Sequence, residues 1–123
     1  MSTWLAVALG GALGSLARYA LGLWLRIAVP GLPLATLLVN TVGGFCIGLI
    51  FALTAARPDT PDWLRTGLIT GVLGGFTTFS AFSLETLLLW REGQGSLALA
   101  NIGLNLLLSL SGCALGLWLG RSL

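Results

Sequence analysis

Four long apolar stretches, separated by short polar segments, occupy most of this chain of 123 residues. One helical crossing of a bilayer needs about 20 residues, because a helix rises about 1.5 Å per residue across a hydrocarbon core about 30 Å thick. Pro, Gly and charged residues punctuate the chain between the stretches. We therefore predict four transmembrane helices, over approximately residues 4–28, 34–55, 62–90 and 96–119.

The composition is typical of a chain surrounded by lipid. Apolar residues make up 56% of the sequence and charged residues only 8%, whereas a soluble domain has about 25% charged residues. The six basic residues include no Lys and provide too little positive charge for a nucleic-acid surface. We therefore predict an all-α integral membrane protein with a single four-helix domain over residues 1–123. We expect it to contact the lipid bilayer and not to bind nucleic acid.

The distribution of Arg residues gives no clear orientation in the membrane. With four crossings, Arg57, Arg65 and Arg121 lie on one side, and Arg26 and Arg91 on the other. Orientation normally follows an excess of Lys and Arg in the cytoplasmic loops, and here the excess is small. Two interpretations stay open: a short chain with few charges, or a chain that inserts both ways and forms an antiparallel dimer.

Small residues recur at a spacing that suits close helix pairing. Glycines four residues apart let two membrane helices bring their backbones together, either within one subunit or between two. Such pairs occur at Gly10/Gly14, Gly44/Gly48, Gly67/Gly71 and Gly112/Gly116.

A single charged residue, Arg18, lies well inside the first apolar stretch. An Arg at the centre of a membrane helix costs about 2.5–3.5 kcal/mol on insertion scales. The side chain either extends to the interface, as long cationic side chains do, or attracts anions to the mouth of a pathway.

Amide and hydroxyl side chains share one face in two of the stretches. Thr36 and Asn40 are one turn apart in the second, and Asn101, Asn105 and Ser109 follow one another at i+4 spacing in the fourth. Hydrogen bonds between helices would explain any one of them. Together they also suggest a polar track that carries no fixed charge.

The third stretch contains the least helix-like segment of the chain. Gly74 and Gly75 are followed closely by Thr77 and Thr78, and this combination lowers helix propensity. One interpretation is a break whose released carbonyl oxygens bind a cation. The other is a continuous helix in which the glycines only pack.

Three further residues of the third stretch draw interest. Phe79 and Phe82, at i, i+3 spacing, are usually explained by packing. Glu85 is an intramembrane carboxylate, which is a functional hypothesis by default. It pairs with an Arg, is protonated, or accepts hydrogen bonds from hydroxyls such as that of Thr86; its role stays open.

Three segments carry a resemblance to a known family. The sequences GGALGSLARY (10–19), TLLVN (36–40) and TGVLGGFTTFSAFSLE (70–85) are similar to the signature blocks of the Fluc (CrcB) fluoride channels. The blocks occur in the family's order and spacing over nearly the whole chain, and the third is the most specific. The resemblance implies a fluoride-selective channel in the cell inner membrane that exports fluoride passively.

The resemblance also implies partners and residue roles. It implies an antiparallel, dual-topology homodimer with a structural Na⁺ at the dimer interface, bound by the backbone carbonyls of Gly74 and Thr77. It gives Asn40 the role of the pore asparagine, Phe79 and Phe82 that of ring edges facing fluoride, and Arg18 that of the vestibule arginine. The other pathway residues that it implies are Ser80, Thr36, Asn105, Ser109 and Glu85.

This chain departs from the family pattern in the fourth stretch. Asn105 stands where a small hydroxyl residue is expected, and Asn101 where an aromatic residue is often found. The contribution of this helix to the pathway therefore stays open.

Two other functions fit a short four-helix membrane protein. A small multidrug exporter needs an acidic residue in its first helix, and no carboxylate precedes Asp59. A passive assembly subunit has no such requirement. An enzyme is not expected, because the chain has no His, no Lys and only four carboxylates to provide a nucleophile, a base or metal ligands.

The balanced Arg count generates a prediction about orientation. Two or three Lys residues added to one terminus are expected to fix the protein in one orientation and to abolish fluoride flux when this variant is expressed alone. Co-expression with an oppositely biased variant is expected to restore the flux. Full flux from one fixed orientation would contradict dual topology.

Overall fold

All 123 residues, Met1–Leu123, are described by a computed structural model, which is entirely helical. Its elements are α1 (Thr3–Ala28), α2 (Leu34–Ala55), α3 (Asp62–Thr66), a π-helical segment (Gly67–Leu73), α4 (Gly74–Phe76), α5 (Phe79–Arg91) and α6 (Gly95–Ser122). From α3 to α5 they form one span, Asp62–Arg91, so that four spans are long and apolar enough to cross a membrane. The prediction of an all-α membrane protein with four helical crossings is confirmed.

Tight turns join the first span to the second and the third to the fourth. Gly31 has a φ of 87° and Gly93 a φ of 78°, values that favour glycine because it has no Cβ. The predicted ranges 4–28, 34–55, 62–90 and 96–119 lie within the four spans. Short connections place consecutive spans antiparallel.

The third span is interrupted by two residues in extended conformation. Thr77 has φ −83° and ψ 157°, and Thr78 has φ −153° and ψ 123°. Helical structure ends at Phe76 and resumes at Phe79. The predicted break is therefore confirmed, and the interpretation of a continuous glycine-packed helix is wrong.

Glycines bring the spans together in two pairs. A Cβ on Gly14 of α1 would overlap the backbone carbonyl of Val72, and a Cβ on Gly48 of α2 would overlap that of Cys113 in α6. α1 thus packs against the first half of the third span, and α2 packs against α6. These glycine pairs serve contacts within the subunit, which was one of the two uses left open.

Most of the apolar surface of the subunit faces outward. Only 19 of the 123 residues are buried, and large side chains such as Leu13, Leu107 and Leu110 are more than 60% exposed. In a bilayer this surface contacts lipid or another copy of the chain, so packing between helices depends on the close glycine contacts.

Substitution at Gly14 tests this packing. Gly14→Ala is expected to destabilise the purified protein by about 1–3 kcal/mol, because the new methyl group overlaps the backbone of the third span. The measurement is thermal unfolding in detergent.

The matched control is Gly22→Ala, in the same helix. No heavy atom lies within 4 Å of a Cβ at Gly22, so this variant is expected to unfold at the wild-type temperature or above. Equal melting temperatures for the two variants would contradict the packing argument.

Candidate functional site

A cavity of about 350 Å³ lies beside the break in the third span. Its walls come from α2, both halves of the third span, and α6. Seven of the candidate site residues predicted from the sequence line it, namely Asn40, Gly74, Thr77, Phe79, Phe82, Asn105 and Ser109. The structure thus brings together residues that are far apart in the chain, and we refer to this space as the central cavity.

Asn40 takes the place of the helical hydrogen-bond partners of Thr78. Its Oδ1 accepts from the backbone N–H of Thr78 at 2.9 Å. Its Nδ2 donates to the carbonyl oxygen of Thr78 at 3.1 Å and to Oδ1 of Asn105 at 3.1 Å. The amide is therefore fully used in joining three spans, which is the structural role considered for it in the sequence.

Thr78 directly precedes α5 as its N-cap and was not among the residues predicted for the site. Its Oγ1 accepts from the backbone N–H of Ala81 at 3.1 Å, the bond of an N-cap residue. Ser80 is exposed, does not line the central cavity, and its hydroxyl lies 3.2 Å from Oγ1 of Thr78. A Thr directly before a helix is a recognisable sequence signal for a cap, but its bonds to Asn40 are not.

The two phenylalanines occupy different environments. Their ring centroids lie 5.2 Å apart at an interplanar angle of 59°, within the tilted geometry that aromatic pairs favour. Phe82 is 8% exposed, whereas Phe79 is 73% exposed. Only one of the rings is thus packed within the subunit.

The polar stripe of α6 faces the interior. Asn101 and Asn105 are 6% and 4% exposed, and Nδ2 of Asn105 donates to Oδ1 of Asn101 at 3.0 Å. The hydroxyl oxygen of Ser109 is buried and has no hydrogen-bond partner. The central cavity therefore contains one hydroxyl whose proton is free to be donated.

A second cavity, of about 710 Å³, contains the charged residues of the site. Arg18, Thr36 and Glu85 line it, and Thr78 lies between it and the central cavity. Oγ1 of Thr36 donates to Oε1 of Glu85 at 2.6 Å, while Oε2 is buried without a partner. Glu85 thus accepts from a hydroxyl, as one alternative held, although from Thr36 and not from Thr86.

Arg18 is held against the break. Its Nε donates to the carbonyl oxygen of Gly75 at 3.1 Å, and the residue is half-buried. In a continuous helix this carbonyl would accept from a residue one turn later. The bond turns the side chain toward the third span.

Two carbonyl groups at the break are left without donors. The N–H of Thr78, which would bond to Gly74 in a continuous helix, is donated to Asn40. The carbonyl oxygen of Thr77 accepts no hydrogen bond, and no side chain donates to that of Gly74. Oxygen atoms of this kind are the ligands that hard cations prefer.

The central cavity differs from the second in charge. None of its lining residues is ionisable, and its polar groups are amides, hydroxyls and backbone. The second cavity has both signs of charge on its walls, with Arg18, Arg26, Glu85 and Glu92. An anion in the central cavity would meet neutral polar groups and two aromatic side chains but no fixed cationic group.

Comparisons with known proteins agree over the length of the chain. The family described as "CrcB-like protein, Camphor Resistance (CrcB)" matches residues 5–120. The chain is 48% identical over 118 residues to a protein of Agrobacterium fabrum, covering 95% of this chain and 94% of that one. It is 48% identical over 121 residues to one of Paracoccus denitrificans, covering 98% and 96%.

A third relative, from Bordetella petrii, is 49% identical over 113 residues, covering 92% of this chain and 87% of that one. All three relatives are named fluoride-specific ion channel FluC. With a family match over nearly every residue and relatives close to half identical, this chain belongs to the CrcB family.

Proposed function

We propose that this protein is a fluoride-selective channel. The observation that carries the proposal is the central cavity, where Asn40, Phe79, Phe82, Asn105 and Ser109 meet without any ionisable side chain. Membership of a family whose relatives are named fluoride-specific ion channels supports it. It is a multi-pass membrane protein, and we place it in the cell inner membrane, where passive fluoride export lowers cytoplasmic fluoride.

The donors of the central cavity suit a small, strongly hydrated anion. A pore must replace the hydrogen bonds that such an ion makes with water. The free hydroxyl of Ser109 is the most available donor. The positive edges of the Phe79 and Phe82 rings provide weaker contacts. An N–H of Asn40 is available only where an anion displaces Oδ1 of Asn105 from it.

The separation of charge from donors favours conduction. An ion that binds too tightly does not leave, and conduction requires weak or multiple sites. Arg18 lies in the second cavity, where it attracts anions toward the break. The central cavity then offers only neutral groups, so the anion is not held there by a fixed charge.

A second copy of the chain would complete the pathway. Phe79 is 73% exposed and Gly74 is exposed in the single subunit, although both line the central cavity. A ring that faces lipid would contribute nothing to an aqueous pathway. An antiparallel homodimer, which the balanced Arg residues permit, would cover these groups and enclose the cavity.

A structural Na⁺ at the centre of this dimer fits the same surface. The carbonyl oxygens of Gly74 and Thr77 lack donors within the subunit, and each of two copies would supply both. When bound, the ion would offset the negative partial charges that these carbonyls present at the interface. It would hold the interface together and take no part in the passage of fluoride.

The pore assignment predicts loss of flux from three substitutions. Asn40→Asp replaces a donor by a carboxylate, and Phe79→Ile and Phe82→Ile remove ring edges while nearly keeping bulk. In each variant we expect fluoride efflux from liposomes, at equal amounts of purified protein, to fall at least about tenfold. A loss of about 1.4 kcal/mol of stabilisation at the barrier to fluoride passage gives that factor. The same samples are tested for dimer elution.

Phe51→Ile, on the outward face of α2, is the matched control, because Phe51 is 54% exposed and does not line the central cavity. It is expected to conduct as the wild type does. Normal flux per dimer in all three pore variants would remove these residues from the pathway. A wild-type protein that forms dimers but carries no fluoride would instead indicate a passive assembly subunit.

The Na⁺ site predicts ion-dependent stability. A ligand that binds only the folded dimer raises its melting temperature, so the purified protein is expected to unfold several degrees higher in NaCl than in N-methyl-D-glucamine chloride. Within the subunit a Cβ at Gly74 would lie 3.8 Å from the nearest atom, so Gly74→Ala is tolerated there. We expect the melting temperature of this variant to be the same in the two salts.

Gly103→Ala serves as the control, since nothing lies within 4 Å of a Cβ at Gly103. It is expected to retain the difference between the two salts. If the wild-type protein unfolds at the same temperature in both salts, the carbonyls of Gly74 and Thr77 do not bind sodium.

A further inference from the structure

A chain of side-chain hydrogen bonds links Asn40 to the backbone of Phe82. Nδ2 of Asn40 donates to Asn105 at 3.1 Å, and Nδ2 of Asn105 donates to Asn101 at 3.0 Å. Nδ2 of Asn101 donates to Oγ1 of Thr86 at 3.0 Å, and this hydroxyl donates to the carbonyl oxygen of Phe82 at 2.7 Å. We call these linked side chains the amide chain; it runs from α2 through α6 to α5.

The groups at the two ends of the amide chain fix its direction, that is, which side chain donates and which accepts in each of its hydrogen bonds. The carbonyl of Phe82 only accepts, so the hydroxyl of Thr86 must donate to it and is left to accept from Asn101. At the other end the N–H of Thr78 only donates, so Asn40 must turn its Oδ1 toward Thr78. Every amide between these ends has one orientation that satisfies its neighbours.

Burial makes this direction costly to change. Thr86, Asn101 and Asn105 are 8%, 6% and 4% exposed, so an amide that turned over would bring donor against donor without water to compensate. Asn105 is also bonded through Nδ2 to the backbone carbonyl of Asn101 at 2.9 Å. Its two N–H groups are thus directed away from Asn40, and its Oδ1 toward it.

We infer that Thr86 and Asn101 are positioning residues of the anion pathway, acting through Asn105. Neither lines the central cavity, whereas Asn105 and Asn40 do. Through Oδ1 of Asn101 they hold one N–H group of Asn105 away from the cavity, which helps to keep its Oδ1 in place as the acceptor for Asn40. The inference rests on the proposed function, because it assigns the amide chain to the same pathway.

The direction of the amide chain has a consequence for binding. An anion that takes a proton from Nδ2 of Asn40 must displace Oδ1 of Asn105, another acceptor, from the same donor. The displacement weakens anion binding at Asn40 and so favours release. If Asn105 were free to turn over, its N–H groups would face the anion and hold it.

The test compares two substitutions at Thr86. Thr86→Val removes the hydroxyl and leaves the shape, so that the amide of Asn101 is free to turn over and Asn105 loses one of the two acceptors of its N–H groups. We expect fluoride efflux from liposomes to fall about three- to tenfold, the effect of losing one hydrogen bond of ordinary net strength. The ratio of fluoride to chloride flux is also expected to fall. Thr86→Ser keeps the hydroxyl and is expected to restore both values.

The double variant Thr86→Val with Asn101→Leu separates positioning from stability. Because both partners of a buried hydrogen bond are replaced by apolar groups of similar shape, the melting temperature is expected to recover most of what Thr86→Val loses. The flux and the selectivity ratio are expected to stay low, since Asn105 still lacks the side-chain acceptor that Asn101 supplied.

The outcomes are distinct. If the double variant regains both its melting temperature and wild-type flux, the amide chain is only structural and the inference is wrong. The inference also fails if Thr86→Val conducts with wild-type selectivity. Absence of fluoride flux from the wild-type protein would instead refute the proposed function, on which the inference rests.

Discussion

A backbone that leaves its helix inside a bilayer has polar groups that no water satisfies, and other spans must supply their partners. Here the interruption at Thr77 and Thr78 draws in two neighbouring spans. Asn40 of α2 gives Thr78 both an acceptor and a donor, and Arg18 of α1 donates to the carbonyl oxygen of Gly75. The central cavity lies beside the interruption, between α2, the third span and α6, whereas Arg18 lines the second cavity.

The glycine contacts make this meeting possible. Helices in lipid gain little from burying apolar side chains against each other, so close backbone approach and hydrogen bonding hold them together. Gly14 lets α1 approach the third span at Val72, near Arg18, and Gly48 lets α2 approach α6, which carries Asn105. The same small residues therefore serve both the packing and the placement of polar groups at the interruption.

Much of this architecture can be predicted from the sequence, because local sequence features determine it. The length of the apolar stretches determines the four spans, and two glycines followed by two threonines lower helix propensity where the span is broken. Which side chain replaces a lost backbone bond depends on how the spans approach one another. The bond from Arg18 to Gly75 and the bond from Asn101 to Thr86 therefore have no signal in the sequence alone, whereas the i+4 spacing of Asn101 and Asn105 predicts their shared face.

The fixed direction of the amide chain also constrains how such a protein can change during evolution. Replacement of Asn101 alone removes one hydrogen-bond partner from each of Thr86 and Asn105 in a buried setting. Neutral drift at one of these positions is therefore expected to be rare, and substitutions at 86, 101 and 105 are expected to co-vary across lineages. A relative with a hydroxyl residue at 105 would lack this chain of amides, and the backbone at position 78 would remain to orient its asparagine at position 40.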